Sequence, residues 1–217
     1  MRISLNKIHF PLTTLGYGRR VGIWTQGCSI QCPGCISRDT WKPDAGRLID
    51  VEELAASLGP WLTQADGVTI SGGEPFDQTG ALAELIPAIR RRHSGDVLVF
   101  SGYSHKRLFV EQRTLLEQID VLISEPFEAA SGQTLALRGS DNQRIFLLTA
   151  LARARYPADL DRRPWTDQRR LDIVADGVVI WMAGIPRPGE MARLRKELAR
   201  RGFDCQTSDQ PGPVVRA

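Results

Sequence analysis

The densest group of chemically useful side chains is a set of three cysteines. Cys28, Cys32 and Cys35 fall within eight positions, with the spacing C-x3-C-x2-C. Thiolates this close repel one another unless a metal takes up their charge, and soft sulfur ligands favour zinc, copper(I) or iron–sulfur clusters. A four-iron cluster held by three cysteines keeps one iron without a protein ligand, and that iron can bind a substrate. The spacing therefore predicts a loop that binds a metal or a cluster.

Two other interpretations of these cysteines stay open on the residues alone. A zinc site could be completed by the distant Cys205, and the three thiols could also be buried and unligated. Structural zinc sites more often show two paired C-x2-C or C-x2-H arms, so a cluster is the preferred interpretation. Cys205 is then expected to be a lone thiol.

The segment around the cysteines, YGRRVGIWTQGCSIQCPGCISRDTW, resembles the cluster loop of the radical S-adenosylmethionine (radical SAM) enzymes. In that superfamily the amino and carboxylate groups of S-adenosylmethionine chelate the open iron, and one electron cleaves the sulfonium to give a 5′-deoxyadenosyl radical. The resemblance implies that Cys28, Cys32 and Cys35 ligate a 4Fe-4S cluster and that S-adenosylmethionine is the second cofactor. No catalytic residue is assigned beyond these ligands, because hydrogen abstraction by such a radical needs no general acid or base.

A second candidate binding element is the turn Ser71-Gly72-Gly73-Glu74-Pro75, which follows a short predicted strand. Its two glycines would let backbone carbonyls approach a ligand closely, and an acceptor-rich turn suits an ammonium group. A strand-to-helix turn with glycines is also common for structural reasons alone. The GGEP tetrapeptide resembles the radical SAM turn that binds the amino group of S-adenosylmethionine, which implies that Gly72, Gly73 and Glu74 bind the cofactor.

Further segments resemble a narrower family, the activating proteins of anaerobic ribonucleotide reductase. The matching segments are Asp39-Thr40-Trp41, Ser101-Gly102-Tyr103, Ile119-Asp120-Val121-Leu122 and Arg138-Gly139-Ser140-Asp141-Asn142-Gln143-Arg144. The resemblance implies that the chain abstracts hydrogen from a backbone glycine of a large glycyl radical enzyme, with a flavodoxin- or ferredoxin-like electron donor. It also implies cofactor-binding roles for four residues: Ser101, Tyr103, Arg138 and Asn142.

Some of these residues also have a purely structural interpretation. Residues 139–142 are rich in turn formers and lie between the apolar runs 135–137 and 145–148, which is typical of an ordinary loop between strands. Tyr103, beside a glycine turn, could simply cover the core. Both interpretations stay open on the sequence.

The elements that must position these residues alternate between strand and helix. Apolar periodicity predicts strands over 1–10, 21–24, 67–70, 97–100 and 121–123, and helices over 51–62, 82–92 and 106–119. Asp50 is expected to cap the first helix, Gly59-Pro60 to break it early, and Pro87 to interrupt the second. Such repeats imply a parallel sheet with right-handed crossovers, too short for an eight-unit barrel. We therefore expect an α/β fold, a partial open βα barrel of parallel strands, with the ligand at the carboxyl ends of the strands.

The last third of the chain has no counterpart in the compact reductase activases. Residues 150–217 predict a polar linker, a hairpin whose turn is Asp176-Gly177, and a helix over 190–201 that ends at Gly202. We expect a radical SAM core over 1–149 and a hairpin-plus-helix extension over 150–217 packed on it. The extension could cover the adenosine, form a docking surface for a partner, or be a stabilising cap without chemistry.

Composition narrows the classes of function further. A chain of 217 residues with 42% hydrophobic residues can bury a real core. The net charge of +3, from 28 basic and 25 acidic residues, is too small to indicate nucleic acid as a partner. No apolar run approaches membrane-spanning length, the first ten residues are too polar for a secretory signal, and an oxygen-sensitive cluster needs a reducing compartment. We therefore expect a cytoplasmic protein that binds neither membrane nor nucleic acid.

Three functions are consistent with these observations. The preferred one is a radical SAM enzyme that activates a glycyl radical enzyme such as anaerobic ribonucleotide reductase. The first alternative is an enzyme that uses the same radical to modify a small molecule or a ribosomal peptide. The second alternative is a non-enzymatic interaction module that binds a metal.

Overall fold

A mixed β-sheet forms the centre of the molecule. The computed structural model describes residues 1–166, 170–175, 180–203 and 207–210. The strands are β1 (Arg2–Leu12), β2 (Arg20–Thr25), β3 (Leu48–Asp50), β4 (Gly67–Gly72), β5 (Asp96–Phe100), β6 (Val121–Ser124), β7 (Arg144–Leu147), β8 (Leu171–Ala175) and β9 (Ile180–Gly184). The α-helices are α1 (Val51–Ser57), α2 (Gly59–Leu62), α3 (Thr79–Arg90), α4 (His105–Glu111), α5 (Arg113–Leu116), α6 (Ala150–Arg155) and α7 (Glu190–Arg200).

The sheet has seven strands in the order β3-β1-β2-β4-β5-β6-β7, and β8 and β9 form a separate hairpin. Strands β2, β4, β5 and β6 are parallel neighbours, which confirms the α/β class and the parallel centre. The sheet differs from the expected set of parallel strands because β1, β3 and β7 pair antiparallel. The connection between β1 and β2 is too short for a crossover, which takes a dozen or more residues, so those strands can only form an antiparallel pair.

The first strand lies in the interior of the sheet, between β3 and β2, and extends beyond its predicted end at residue 10. It continues to Leu12, and β3 pairs along its outer side through Arg2, Ile3 and Ser4. A three-residue strand such as β3 is too short to produce an alternating pattern, so no sequence signal predicted it.

The helices on the sheet agree with the sequence at their starts more than in their interiors. Asp50 caps α1, since its carboxylate accepts hydrogen bonds from the backbone N–H groups of Glu52 and Glu53 at 2.9 and 3.3 Å. The predicted break at Gly59-Pro60 is confirmed, whereas α3 runs through Pro87 without interruption. Ala83, whose carbonyl loses its usual partner to Pro87, is exposed, so water can satisfy it. The helix expected over 106–119 is divided into α4 and α5.

The sheet buries its two faces against different partners. Because side chains alternate along a strand, Val21, Ile23, Val97 and Val99 point toward the core formed with α1 to α5. On the other face, Trp24 at the end of β2 belongs to a cluster that includes residues of the β9 region, with Phe100 at the end of β5 packed against it. The carboxyl end of that second face is therefore covered by the last third of the chain.

The last third of the chain contains the predicted hairpin and helix. Strands β8 and β9 pair antiparallel from Leu171–Gly184 to Ala175–Ile180, while the expected turn at Asp176-Gly177 lies outside the described residues, as does Cys205. Helix α7 ends just before Gly202, whose φ of +82° is the left-handed conformation common after a helix. Within the described residues, no helix combines the length and the apolar composition that crossing a bilayer requires.

A buried ion pair joins the amino ends of the parallel strands. Arg20 of β2 and Asp96 of β5 are fully buried, and two pairs of their atoms lie 2.8 and 3.1 Å apart. Arg20 also donates to Thr69 Oγ1 of β4 at 2.7 Å, and the Tyr156 hydroxyl donates to Asp96 at 2.8 Å. Because every charged atom is partnered, this network holds β2, β4, β5 and the residue after α6 in one register.

We predict that Asp96→Ala lowers the free energy of unfolding by about 3–5 kcal/mol, because it leaves the Arg20 charge buried and unpaired. Chemical denaturation monitored by circular dichroism measures the change. The matched control is Glu111→Ala, which removes an exposed ion pair with Arg107 on α4 and should change stability little. Equal losses for the two variants would contradict a structural role for the buried pair.

Candidate cluster and cofactor site

The predicted cluster ligands and the predicted cofactor turns meet in one cavity. Three neighbouring parallel strands, β2, β4 and β5, end at the same edge of the sheet, and the loops that follow them lie side by side there. The cavity at that edge measures about 510 Å³, within the range of ordinary ligand pockets. Its lining includes Cys28, Cys32 and Cys35 after β2, Gly72, Gly73 and Glu74 at β4, and Ser101 and Gly102 after β5.

The three cysteine side chains are in an environment suited to a cluster. All three are partly exposed, and backbone N–H groups approach two of the sulfurs, Gln31 N to Cys28 Sγ at 3.4 Å and Ser37 N to Cys35 Sγ at 3.3 Å. Burial raises the pKa of each thiol, and the neighbouring thiols raise that of Cys35 further. Cationic irons would offset the free-energy cost of ionising the buried thiols. N–H···S hydrogen bonds are among the contacts that set the reduction potential of a bound cluster.

The three cysteine side chains do not converge on a single point. Among the described residues, no three histidine, cysteine, aspartate or glutamate side chains converge closely enough to hold one metal ion. In a 4Fe-4S cluster each cysteine binds a different iron, so the three sulfurs surround a cubane and do not need to converge on one point. The donor set and the shared cavity therefore fit a three-cysteine cluster.

The glycine turn is joined to the cysteine loop through the backbone. Gly73 N donates to Thr25 O and Glu74 N donates to Gly27 O, both at 2.9 Å, so the pairing of β4 with β2 continues beyond the strands. A Cβ on Gly73 would overlap the carbonyl of Gly27, and one on Gly72, whose φ is +108°, would overlap the backbone of Thr25. These glycines therefore make room for the end of β2 and the start of the cysteine loop. The close approach of a ligand to their backbone stays a prediction.

Glu74 links the turn after β4 to the turn after β5. Its buried carboxylate accepts hydrogen bonds from Ser101 Oγ at 2.9 Å, from Gly102 N at 2.7 Å and from Phe76 N at 2.9 Å. Burial raises the pKa of Glu74 to about 7, against the opposing effect of these donors. The side chain therefore fixes the position of Ser101 and Gly102 within the cavity.

Tyr103 lies outside the cavity lining and is linked to the cysteine loop through Asp77. Its hydroxyl donates to Asp77 Oδ1 at 2.6 Å, and the same carboxylate accepts from Ser29 N at 2.7 Å and Ser29 Oγ at 2.8 Å. Ser29 directly follows Cys28, so these hydrogen bonds restrain the cysteine loop. Sequence reasoning missed Asp77, whose only signal is its position three residues after Glu74.

Arg138 is directed into the protein and does not line the cavity. Its side chain is 1% exposed, donates to the carbonyl oxygens of Gln143 and Asp161, and pairs with the Asp161 carboxylate at 3.2 Å.

Residues 135–137, expected as an apolar run before a loop between strands, form only an isolated bridge from Leu135 to Pro164.

Asn142 is likewise outside the cavity lining, and its Nδ2 donates to Pro126 O at 2.8 Å. The residues of this loop that do line the cavity are Gly139 and Gln143. Gln143 Oε1 accepts from Gly139 N at 2.8 Å, and its Nε2 donates to Glu125 O at 3.1 Å. The segment 138–144 is therefore a loop held by hydrogen bonds within itself and to Glu125, Pro126 and Asp161, and it presents a glycine and an amide to the cavity.

The chain after residue 170 closes the remaining side of the cavity. Asp172 accepts hydrogen bonds from Thr13 N and Thr13 Oγ1 at 2.6 Å each, and the ring of Trp181 stacks on His9 with centroids 3.5 Å apart. At the other end, Asp39 N donates to Ser208 O at 3.2 Å. These contacts attach the extension to β1 and to the segment after the cysteines.

We predict that Gly73→Ala prevents normal assembly of the cluster, because its methyl group would displace the Gly27 carbonyl and the cysteine loop with it. The measurements are iron and sulfide content and visible absorption after anaerobic reconstitution, together with the melting temperature. Gly59→Ala is the matched control, since a Cβ at Gly59 meets nothing within 4 Å. A Gly73→Ala protein that takes up iron and melts like the control would refute the close contact.

Comparison with known proteins agrees with this site. Residues 14–146, more than half of the chain, match the family described as a 4Fe-4S single cluster domain. The crystal structure of QueE from Escherichia coli matches with 22% identity and a TM-score of 0.42 over 48% of this chain and 54% of that chain. That likeness is too weak to support an argument.

A group of relatives named anaerobic ribonucleoside-triphosphate reductase-activating proteins matches over most of their own length. The one from Haemophilus influenzae is 32% identical over 146 residues, which are 63% of this chain and 94% of that protein. The one from Enterobacteria phage T4 is 31% identical over 60% of this chain and 85% of its own length, and the one from Escherichia coli K12 is 28% identical over 63% and 94%. The chain therefore belongs to the 4Fe-4S single cluster domain family and to the family of anaerobic ribonucleoside-triphosphate reductase-activating proteins, as the resemblance of its motifs implied.

Proposed function

We propose that the chain is a radical SAM enzyme that activates a glycyl radical enzyme such as an anaerobic ribonucleotide reductase. The observation that carries this proposal is the single cavity that joins the cysteine loop to the glycine turn, in a chain of the reductase-activating family. When bound, a 4Fe-4S cluster and S-adenosylmethionine supply one electron and a 5′-deoxyadenosyl radical. The residues of the chain bind, orient and shield these groups.

Cys28, Cys32 and Cys35 hold the cluster in this proposal, and the backbone of Gly72 to Glu74 accepts the ammonium group of the cofactor. The Glu74 carboxylate is already occupied by three donors, so its role is to keep Ser101 beside the cofactor. The surrounding walls exclude water, which protects a primary carbon radical from stray hydrogen donors.

Tyr103, Arg138 and Asn142 serve the cofactor through the loops that they hold. Tyr103 restrains the cysteine loop through Asp77, and the two other side chains shape the loop that presents Gln143 to the cavity. Substituting these residues should therefore disturb the position of a loop before it disturbs a direct cofactor contact.

The architecture and the partners are proposed on related grounds. The contiguous parallel strands β2, β4, β5 and β6 support a partial open βα barrel over residues 1–149, with 150–217 as an extension packed on it. The three cysteines are partly exposed, which leaves a cluster within reach of a flavodoxin- or ferredoxin-like donor. An oxygen-sensitive cluster of this kind also favours a cytoplasmic location.

We predict that the reconstituted protein, with S-adenosylmethionine, a reductant and an anaerobic ribonucleotide reductase, produces a glycyl radical doublet in the electron paramagnetic resonance spectrum of the reductase. Cys32→Ala should abolish both the doublet and 5′-deoxyadenosine formation, because it removes a cluster ligand. Cys205→Ala is the control and should retain both.

Two outcomes would replace this proposal with another. Formation of 5′-deoxyadenosine coupled to a small molecule or a peptide, with no radical on any reductase, would favour a modifying enzyme. A protein that binds stoichiometric zinc, stays colourless with iron and sulfide and makes no 5′-deoxyadenosine would favour an interaction module.

A further inference from the structure

One wall of the cavity comes from a part of the chain that lies beyond the family match. The family match ends at residue 146, and 63% of this chain suffices to cover 94% of the Haemophilus influenzae protein. The cavity nevertheless continues along the extension, which contributes the charged Arg187, Arg195 and Asp209 to its lining and also an apolar group, Met182, Ile185, Pro186, Met191 and Ala192. We call these five residues the apolar wall.

The apolar wall is held firmly against the core. Gln133 Nε2 of the core donates to Pro186 O at 3.1 Å, and within the extension Ile185 N donates to Arg170 O at 2.9 Å. Thr14 Oγ1 donates to the Asp172 carboxylate at 3.0 Å, on the strand that pairs with β9. A wall fixed at several points presents a preformed surface, which lowers the entropic cost of binding a ligand.

The position of the wall relative to the sheet identifies what it faces. Ile185 and Ala183 belong to one cluster with Trp24, and Phe100 packs against that cluster. Trp24 ends β2 and Phe100 ends β5, and β4 lies between these two strands in the sheet. The extension therefore lies beside the carboxyl end of β4, where the Gly72–Glu74 turn begins.

The chemistry of the wall matches one part of the proposed cofactor. In the proposed function the cysteine loop and the glycine turn take the polar methionyl end, which leaves the nucleoside to the remaining lining, formed by the apolar wall and by core residues such as Phe127 and Gln143. A purine base is a flat apolar surface, and methionine side chains adapt to such surfaces and make favourable contacts between sulfur and aromatic rings. The wall carries two of the three methionines of the chain.

We propose that the apolar wall binds the purine nucleoside of S-adenosylmethionine, so that the extension sets the affinity for the cofactor. This inference rests on the proposed function for the identity of the ligand. It assigns to Met182 and Met191 a direct contact with the base.

The test compares two double variants of the anaerobically reconstituted protein. Isothermal titration with S-adenosylmethionine and with S-adenosylhomocysteine should show about tenfold weaker binding of both for Met182→Ala/Met191→Ala. Met182→Leu/Met191→Leu, which preserves apolar volume, should retain most of the affinity. The matched control is Val174→Ala/Phe203→Ala, which truncates two residues of the extension that are 44% and 61% exposed and do not line the cavity.

The outcomes separate this inference from the proposed function. Unchanged affinity in Met182→Ala/Met191→Ala overturns it, and a lower glycyl radical yield in that variant at unchanged affinity would assign the wall to the partner protein instead. Weaker binding in the control to the same extent also overturns it. Tenfold weaker binding in the methionine variant alone supports it even if no reductase acquires a radical, a result that would count against the proposed partner only.

Discussion

The site depends on direct contact between two backbones, that of the Gly72–Glu74 turn and that of the cysteine loop. Two hydrogen bonds, Gly73 N to Thr25 O and Glu74 N to Gly27 O, join them immediately before Cys28. No side chain larger than hydrogen fits between the two segments. The cysteine loop and the glycine turn therefore cannot shift independently, which keeps the proposed cluster ligands beside the proposed cofactor turn.

The rest of the fold supports this contact from both ends of the sheet. The buried pair of Arg20 and Asp96 fixes the amino ends of β2 and β5, and the parallel register carries that order to their carboxyl ends. At the carboxyl ends, the Glu74 carboxylate accepts a hydrogen bond from the turn after β5, and the Asp77 carboxylate accepts one from Ser29 in the cysteine loop. The extension then covers the cavity from the face that the helices leave open.

Local patterns were sufficient to predict the parallel centre of the sheet and the gathering of three turns at one edge, because the ends of adjacent parallel strands must meet. The directions of Arg138 and Asn142 were not predictable, since the partners that turn them inward, such as Asp161, are distant in sequence. The apolar run at 145–148 indicated β7, but its antiparallel direction depends on the neighbouring strand, and the short β3 left no periodic signal. The contact of Gly72 and Gly73 with the cysteine loop was also not predictable, because only the folded chain brings Thr25 and Gly27 against them.

The central claim is that three cysteines leave one iron of a cubane open to a ligand beside the glycine turn. Mössbauer spectroscopy of the protein reconstituted with ⁵⁷Fe tests it most directly, with and without S-adenosylmethionine. The account predicts that one of the four irons changes its isomer shift on addition of the cofactor while the other three do not. A spectrum in which all four irons are unaffected by saturating S-adenosylmethionine would contradict the account.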